Sequence, residues 1–236
     1  MASASFYARL DFLVNHLRIL LMKKMVPVLA VFFMFTLTVY AQPATHLAAF
    51  ETAYQLFETN LAGDKDSNPS VIKQFTTLVQ NHPEQPLFLA YLGSAYTLKA
   101  RDAFAPWTRL SNVDRGLDMV DKALIMLEPE HDEMKLRGSV VSMETRLVAI
   151  STFLKVPGFL NRLQPAKDLL TETLADPVFN QAPAIVRGRI YLNAADAAKR
   201  DKDVDKERHL LTKAVEILPD SRFKTEAQSR LLALQN

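Results

Sequence analysis

The sequence predicts an all-α fold of stacked antiparallel helical hairpins with one capping helix at the C-terminal end. Apolar residues recur every three or four positions along most of the chain from residue 44 onward, as in amphipathic helices. Most of the 12 prolines lie between these segments, where they do not break a helix. No segment after the N-terminal apolar run alternates apolar and polar residues with a period of two, so we expect essentially no strand.

The second hairpin, residues 87 to 129, is the most informative stretch. Its first helix places Leu92 and Tyr96 on one apolar face, with Gly93 inside the helix. A glycine there costs about 1 kcal/mol relative to alanine, so it indicates a place where another backbone comes close. In the second helix, the small side chain of Ala123 can accept a close neighbour, and Pro129 ends the helix.

This combination resembles the tetratricopeptide repeat, a helical hairpin that stacks into a solenoid. The resemblance rests on Leu92, Gly93, Tyr96, Ala123, Leu124 and Pro129. Two features differ from that repeat: Leu89 stands where it favours tryptophan, and the connection from Arg101 to Ser111 is longer than its short turn. We therefore predict a repeat-like hairpin with an inserted loop.

Three further hairpins follow from the same spacing. Their helices are predicted at 44–61 and 69–79, at 134–154 and from Pro165 to Leu174, and at 183–200 and 204–218. The segment from Ala214 to Pro219 repeats the ending of the second hairpin, and residues 223–234 form the capping helix. The hairpins begin near residues 44, 87, 132 and 183, so each unit is longer than the usual 34 residues and the array is irregular.

The N-terminal region predicts export. Residues 22–41 combine two lysines, a short apolar run and small residues before Gln42, which is the pattern of a signal peptide cleaved after Ala41. The alternative is a retained anchor at residues 25–40 in an inner membrane, although that run is short for a membrane span. Residues 1–21 read as an upstream extension without an assigned fold, and residues 42–236 as one helical repeat domain. We expect a periplasmic or secreted product.

Composition excludes several kinds of chemistry. The chain has no cysteine, so it forms no disulfide and uses no thiolate as a nucleophile or metal ligand. Its net charge of +2 comes from the N-terminal region, since residues 42–236 carry 24 basic and 25 acidic side chains. A nearly neutral body has no bulk attraction to nucleic acid, and contact with a membrane is expected only through an uncleaved leader.

The connections within the second and third hairpins contain the candidate binding residues. Both are rich in apolar and aromatic side chains, and aromatic residues with arginine are frequent anchors of binding surfaces. The candidates are Trp107, Arg109, Phe159 and Arg162. The alternative is that both connections pack into the core, which is the more common place for a lone tryptophan in a loop. A segment such as Pro157-Gly158-Phe159 also resembles loops of bacterial exported tetratricopeptide-like proteins, which implies no activity.

No motif in the sequence indicates catalysis. Metal-binding histidine motifs, glycine-rich phosphate loops and nucleophile elbows are all lacking. His131, Asp132 and Glu133 are adjacent, but neighbours at a helix start do not converge on one ion, and acidic residues there complement the helix dipole. We predict no enzyme, no cofactor and no metal.

The leading hypothesis is an exported helical-repeat protein that binds another protein or a peptide along a concave surface, because stacked hairpins form such surfaces. The alternative hypothesis is a protein that binds a small molecule or lipid in a cavity between hairpins. A sizeable pocket beside Trp107 and Phe159 would favour the second hypothesis.

Overall fold

Helices account for most of residues 42–235, the part of the chain that the computed structural model describes. The nine α-helices of this part are α1 (Gln42–Leu61), α2 (Asn68–Asn81), α3 (Pro86–Asp102), α4 (Pro106–Ile125), α5 (Val141–Lys155), α6 (Leu163–Ala175), α7 (Ala184–Arg200), α8 (Val204–Ile217) and α9 (Arg222–Ala233). Short 3-10 helices lie at Pro129–Asp132, Gly158–Leu160 and Pro177–Gln181. The all-helical prediction is confirmed for these residues, apart from one very small hairpin of strands.

Helices that follow one another in the chain pack together throughout the fold. From α2 to α9, each helix contacts the next one. The first helices of successive hairpins also meet, since α3 packs on α5 and α5 packs on α7. Helix α1 joins this arrangement through Phe50 and Phe57, whose rings both pack against Phe75 of α2. Neighbouring hairpins therefore cover one another, as the apolar stripes predict.

The closest helix approach lies between α3 and α4. A Cβ atom added to Gly93 would lie 2.5 Å from the carbonyl oxygen of Gly116, and one added to Gly116 would lie 2.5 Å from the carbonyl oxygen of Gly93. Real Cβ atoms do not approach backbone this closely, so both positions require glycine. The close approach predicted from Gly93 is confirmed, and Gly116 is its partner.

An aromatic cluster forms the core where the first two hairpins meet. The ring of Tyr91 stacks on Phe75 at a centroid distance of 5.3 Å and meets Phe57 edge-on at 5.0 Å. The Tyr91 hydroxyl donates a hydrogen bond of 2.7 Å to Glu144 of α5. This bond links the second hairpin to the third and gives a buried carboxylate a partner. A second apolar cluster, built mainly from α5 to α8, forms the rest of the core.

The predicted inserted loop between α3 and α4 is wrong. Only Ala103, Phe104 and Ala105 connect the two helices, because α4 begins at Pro106 and already includes Trp107 and Arg109. Proline suits the first turn of a helix, where its missing N–H would have no intrahelical partner. The connection is thus a short turn, as in the repeat that the segment resembles.

The third hairpin begins later than predicted. Residues from Met134 do not start a helix; two-residue strands, β1 (Lys135–Leu136) and β2 (Ser139–Val140), pair antiparallel instead. Arg137 and Gly138 join them with φ of 51° and 74°, a left-handed turn that a helix cannot contain. The prediction of essentially no strand is therefore wrong at this small hairpin. Arg137 fixes it against α1 by stacking on Tyr54, 3.7 Å from the ring centroid, and pairing with Glu51.

The residues predicted to pack between repeats fall into two groups. Leu92, Gly93, Tyr96, Ala123 and Ala214 are buried, and Leu124 is half-buried. Pro129 and Pro219 are exposed and follow the ends of α4 and α8. Small and apolar side chains at these positions bring the helices together, whereas the two prolines belong to the connections.

The N-terminal predictions concern other residues. The upstream extension at 1–21, the signal peptide at 22–41 and the alternative anchor at 25–40 all lie outside the described part of the chain. Within the described part, no helix has the length and apolar character needed to cross a membrane.

Candidate functional site

A cleft of about 650 Å³ opens between the second and third hairpins, with contributions from α1 and α7. One wall is the end of the second hairpin around the turn between α3 and α4, and the opposite wall is the C-terminal half of α5 with the segment that follows it. The lining residues are Phe57, Leu61, Ser94, Thr97, Leu98, Ala100, Arg101, Pro106, Arg109, Leu110, Val113, Val148, Ser151, Thr152, Lys155, Val156, Pro157, Phe159, Leu160 and Arg189.

Two helix faces supply most of the polar groups of the cleft. On α3 these are Ser94, Thr97 and Arg101, and on α5 they are Ser151, Thr152 and Lys155. Residues three, four and seven apart lie on one side of a helix, so each set forms a stripe that ends in a basic side chain. Apolar side chains such as Leu98 and Val148 flank both stripes. The cleft is therefore mainly apolar, with a few hydroxyl groups and charges at defined places.

The charged side chains that line the cleft all have the same sign. Arg101, Arg109, Lys155 and Arg189 are present, and the described lining contains no aspartate or glutamate. Two of the four have close partners: Arg101 forms a two-pronged ion pair with Asp102, and Arg109 Nε donates to the carbonyl oxygen of Ala103. The other two side chains, those of Lys155 and Arg189, form no hydrogen bond within the described part of the chain.

The ammonium group of Lys155 forms no hydrogen bond or ion pair within the described part of the chain. Its side chain is accessible because it faces the cleft, yet protein surrounds it sufficiently for desolvation to lower the pKa of its ammonium group. The positive charge of Arg189 lowers that pKa further. The cleft thus contains an unpaired cation that is partly removed from water.

Arg189 shares a single carboxylate with a second arginine. Its Nη1 lies 3.6 Å from Glu58 Oε1, while the other oxygen of Glu58 pairs with Arg222. Both guanidinium groups also cover the ring of Phe223, at 4.6 Å and 4.8 Å from its centroid. One negative charge thus lies between two positive ones, and the carboxylate of Glu144 also acts on Arg189.

The four predicted binding residues separate into two pairs. Arg109 and Phe159 line the cleft. Trp107 does not line it; this side chain is 77% exposed and follows the lining residue Pro106. Arg162 also lies outside the lining, where it pairs with Asp121 at 2.7 Å and covers the ring of Phe153. The start of α4 and the connection of the third hairpin meet at one site, although only half of the named residues line it.

Exposed aromatic side chains border this site. Phe104 is 96% exposed, Trp107 is 77% exposed and Phe159 is 73% exposed. The interpretation that a lone tryptophan here packs into the core is therefore wrong. Because α4 begins early, the turn that carries Phe104 is short and holds the ring away from its own hairpin.

His131 has a structural role. It is buried, and its Nδ1 accepts a hydrogen bond of 3.0 Å from the backbone N–H of Glu128 at the start of a 3-10 helix. Among residues 42–235, no three histidine or carboxylate side chains converge in a way that could hold a metal ion. His131 therefore stabilises a turn.

Lys155, Arg189 and the two polar stripes are not among the residues predicted from the sequence. The signal that could have found the stripes is a cation that follows polar residues by three, four or seven positions on a largely buried helix. Arg101 follows Ser94 and Thr97 on α3, and Lys155 follows Ser151 and Thr152 on α5. Arg189 carries no comparable local signal, because it reaches the cleft only through the packing of α7 on α5.

Comparison with known proteins finds no relative of this chain. No protein-family model, no curated protein and no solved structure matches the chain.

Proposed function

We propose that this chain is a binding protein that holds an apolar small molecule or lipid in the cleft between its second and third hairpins. The observation that carries the proposal is a cleft of about 650 Å³ with mostly apolar walls and a few polar groups. Sites for small ligands are commonly about 300–1,000 Å³ and have this composition. The proposal includes no catalytic step, cofactor or metal.

Apolar contact would supply most of the affinity. Each methylene group that leaves water contributes about 0.8 kcal/mol, or roughly a fourfold change in affinity. We therefore expect the affinity of a series of straight-chain ligands to rise with chain length until the cleft is full. Beyond that length the affinity should stop rising, because additional methylenes remain in water.

The single tryptophan provides a direct binding assay. Trp107 is the only tryptophan of the chain and lies beside the lining residue Pro106. The uncharged dye N-phenyl-1-naphthylamine fluoresces in apolar surroundings and accepts energy from a nearby tryptophan. We expect saturable dye binding with energy transfer from Trp107, and displacement of the dye by dodecanol.

A pair of variants at Ser151 tests whether the dye occupies the cleft. Ser151→Phe places a large ring in the lining, whereas Ser151→Ala removes only the hydroxyl that accepts a hydrogen bond from Asn193. We expect Ser151→Phe to abolish dye binding while Ser151→Ala retains it, with both variants showing wild-type helicity. Equal dye binding by wild type and Ser151→Phe would contradict the proposal.

A second candidate function is docking of a protein or peptide, as in a helical-repeat scaffold. The exposure of Phe104, Trp107 and Phe159 favours it, since aromatic side chains anchor many interfaces. The contacts of α3 with α5 and of α5 with α7 are also compatible with a tetratricopeptide-like solenoid, which presents such a surface.

This second function predicts that Trp107→Ala or Phe159→Ala reduces capture of a partner from the exported fraction without changing helicity or melting temperature. Unchanged capture by both variants would contradict it. Export belongs to the same proposal, and N-terminal sequencing of the exported product should begin at Gln42. A product that retains residues 25–40 would support the membrane-anchored alternative.

A further inference from the structure

The charged side chains of the cleft are all basic, which indicates the charge of the ligand that the cleft would bind. The described lining contains four basic side chains and no acidic one. Arg101 is neutralised by Asp102, and Arg109 Nε donates a hydrogen bond to the carbonyl oxygen of Ala103. The remaining two cations, Lys155 and Arg189, come from neighbouring helices α5 and α7, which pack on one another.

The surroundings of Lys155 leave its charge uncompensated. Its ammonium group forms no hydrogen bond or ion pair with the described residues. Desolvation and the charge of Arg189 lower its pKa, while the carboxylates of Asp196, Glu226 and Glu58 act in the opposite direction. Asp196 itself pairs with Arg230 at 2.6 Å. An anion beside Lys155 would therefore supply a missing partner.

The charge of Arg189 is better compensated than that of Lys155: burial lowers the pKa of its guanidinium, but the carboxylates of Glu58 and Glu144 help to raise that pKa overall. Its side chain is only 15% exposed, and its nearest carboxylate, that of Glu58, is shared with Arg222. The Glu58 oxygen on the Arg189 side is buried and has no hydrogen-bond partner. This ion pair is thus long and incompletely formed, which leaves the Arg189 guanidinium able to donate to a ligand.

We infer that the ligand is an amphiphile with one anionic group, a carboxylate or a phosphate, that lies between Lys155 and Arg189, with its hydrocarbon chain along the apolar walls toward Leu110 and Phe159. This inference rests on the proposed binding of an apolar molecule in the cleft. The two cations select the charge of the ligand, and the apolar lining selects its chain.

Four ligands with the same chain length test the inference by displacement of N-phenyl-1-naphthylamine. They are dodecanoate, dodecyl phosphate, dodecanol and dodecyltrimethylammonium, each below the concentration at which it forms micelles. We expect at least one of the two anions to bind tenfold or more tightly than dodecanol, and the cation to bind more weakly than dodecanol. The stronger of the two anions then identifies the head group as a carboxylate or a phosphate.

Variants of Lys155 assign the head group to its site. We expect Lys155→Met and Lys155→Gln to lose the preference for the anion over dodecanol, and Lys155→Arg to retain that preference. Lys73→Met is the matched control, because Lys73 is exposed on α2 and does not line the cleft. This control should bind all four ligands as wild type does.

The outcomes separate this inference from the proposed function. Equal binding of dodecanoate, dodecyl phosphate and dodecanol by wild type would overturn the inference while leaving the cleft as an apolar binding site. An anion preference that survives in both Lys155→Met and Lys155→Gln would overturn the assignment to Lys155. Failure of the dye and of all four ligands to bind would contradict the proposed function itself.

Discussion

The helix crossing at Gly93 provides the sharpest stability prediction. Gly93→Ala places a methyl group 2.5 Å from the carbonyl oxygen of Gly116 and 2.9 Å from a methyl group of Val120. The nearest obstacle is backbone, so α3 and α4 must move apart along their whole contact. We expect a packing penalty of about 3 kcal/mol, the upper part of the range for overpacking, offset by about 1 kcal/mol of better helix propensity.

The net loss should be about 2 kcal/mol in the free energy of unfolding. With an m value of about 2 kcal/mol per molar urea, the unfolding midpoint falls by about 1 M. Gly158→Ala is the matched control: Gly158 has no atom within 4 Å of an added Cβ, so the free energy of unfolding of this variant should stay within about 0.5 kcal/mol of wild type. A Gly93→Ala protein as stable as the control would refute the close approach of the two helices.

Three further predictions concern single side chains. Tyr91→Phe removes the hydrogen bond to buried Glu144, so urea unfolding should show a loss of about 1–3 kcal/mol; no loss would mean that the bond contributes nothing. The affinity for an anionic amphiphile should fall as pH rises through the lowered pKa of Lys155, below its ordinary value of 10.5, because only the protonated amine pairs with the anion. In dye-displacement titrations Lys155→Arg should keep its affinity over that pH range, and a wild-type affinity that does not change up to pH 10.5 would contradict the pairing. Trp107→Ala should change the melting temperature little, since the side chain is 77% exposed, and a large decrease would show that the ring packs in the fold.

Local patterns in the sequence predict much of the fold. The apolar spacing identifies the helices, and Gly93 identifies a close backbone approach because its cost in a helix requires a compensating contact. The same reasoning fails at Pro106, where apolar residues suggest a loop although proline is well suited to begin a helix. It fails again at Arg137 and Gly138, since a left-handed turn at a non-glycine residue leaves little trace in composition.

The site is harder to predict from the sequence than the helices are, because it depends on contacts between distant parts of the chain. Arg109 and Phe159 can be suggested from the unusual character of their connections, and both do line the cleft. Lys155 and Arg189 resemble ordinary basic residues of amphipathic helices until the packing of α5 on α7 places them in one cleft without an acidic neighbour in the lining. Charge balance around a site is a property of the folded chain.

Photolabelling tests the occupied cleft most directly. A long-chain alcohol that carries a diazirine at its terminal carbon would be activated in complex with the protein, and the modified residues identified by peptide mass spectrometry. Our account predicts labels at Leu98 to Val113 and at Val148 to Leu160, removed by excess dodecanol and absent from Ser151→Phe. Labels distributed over other helices, or labels at these segments that excess dodecanol does not remove, would contradict a binding site in this cleft.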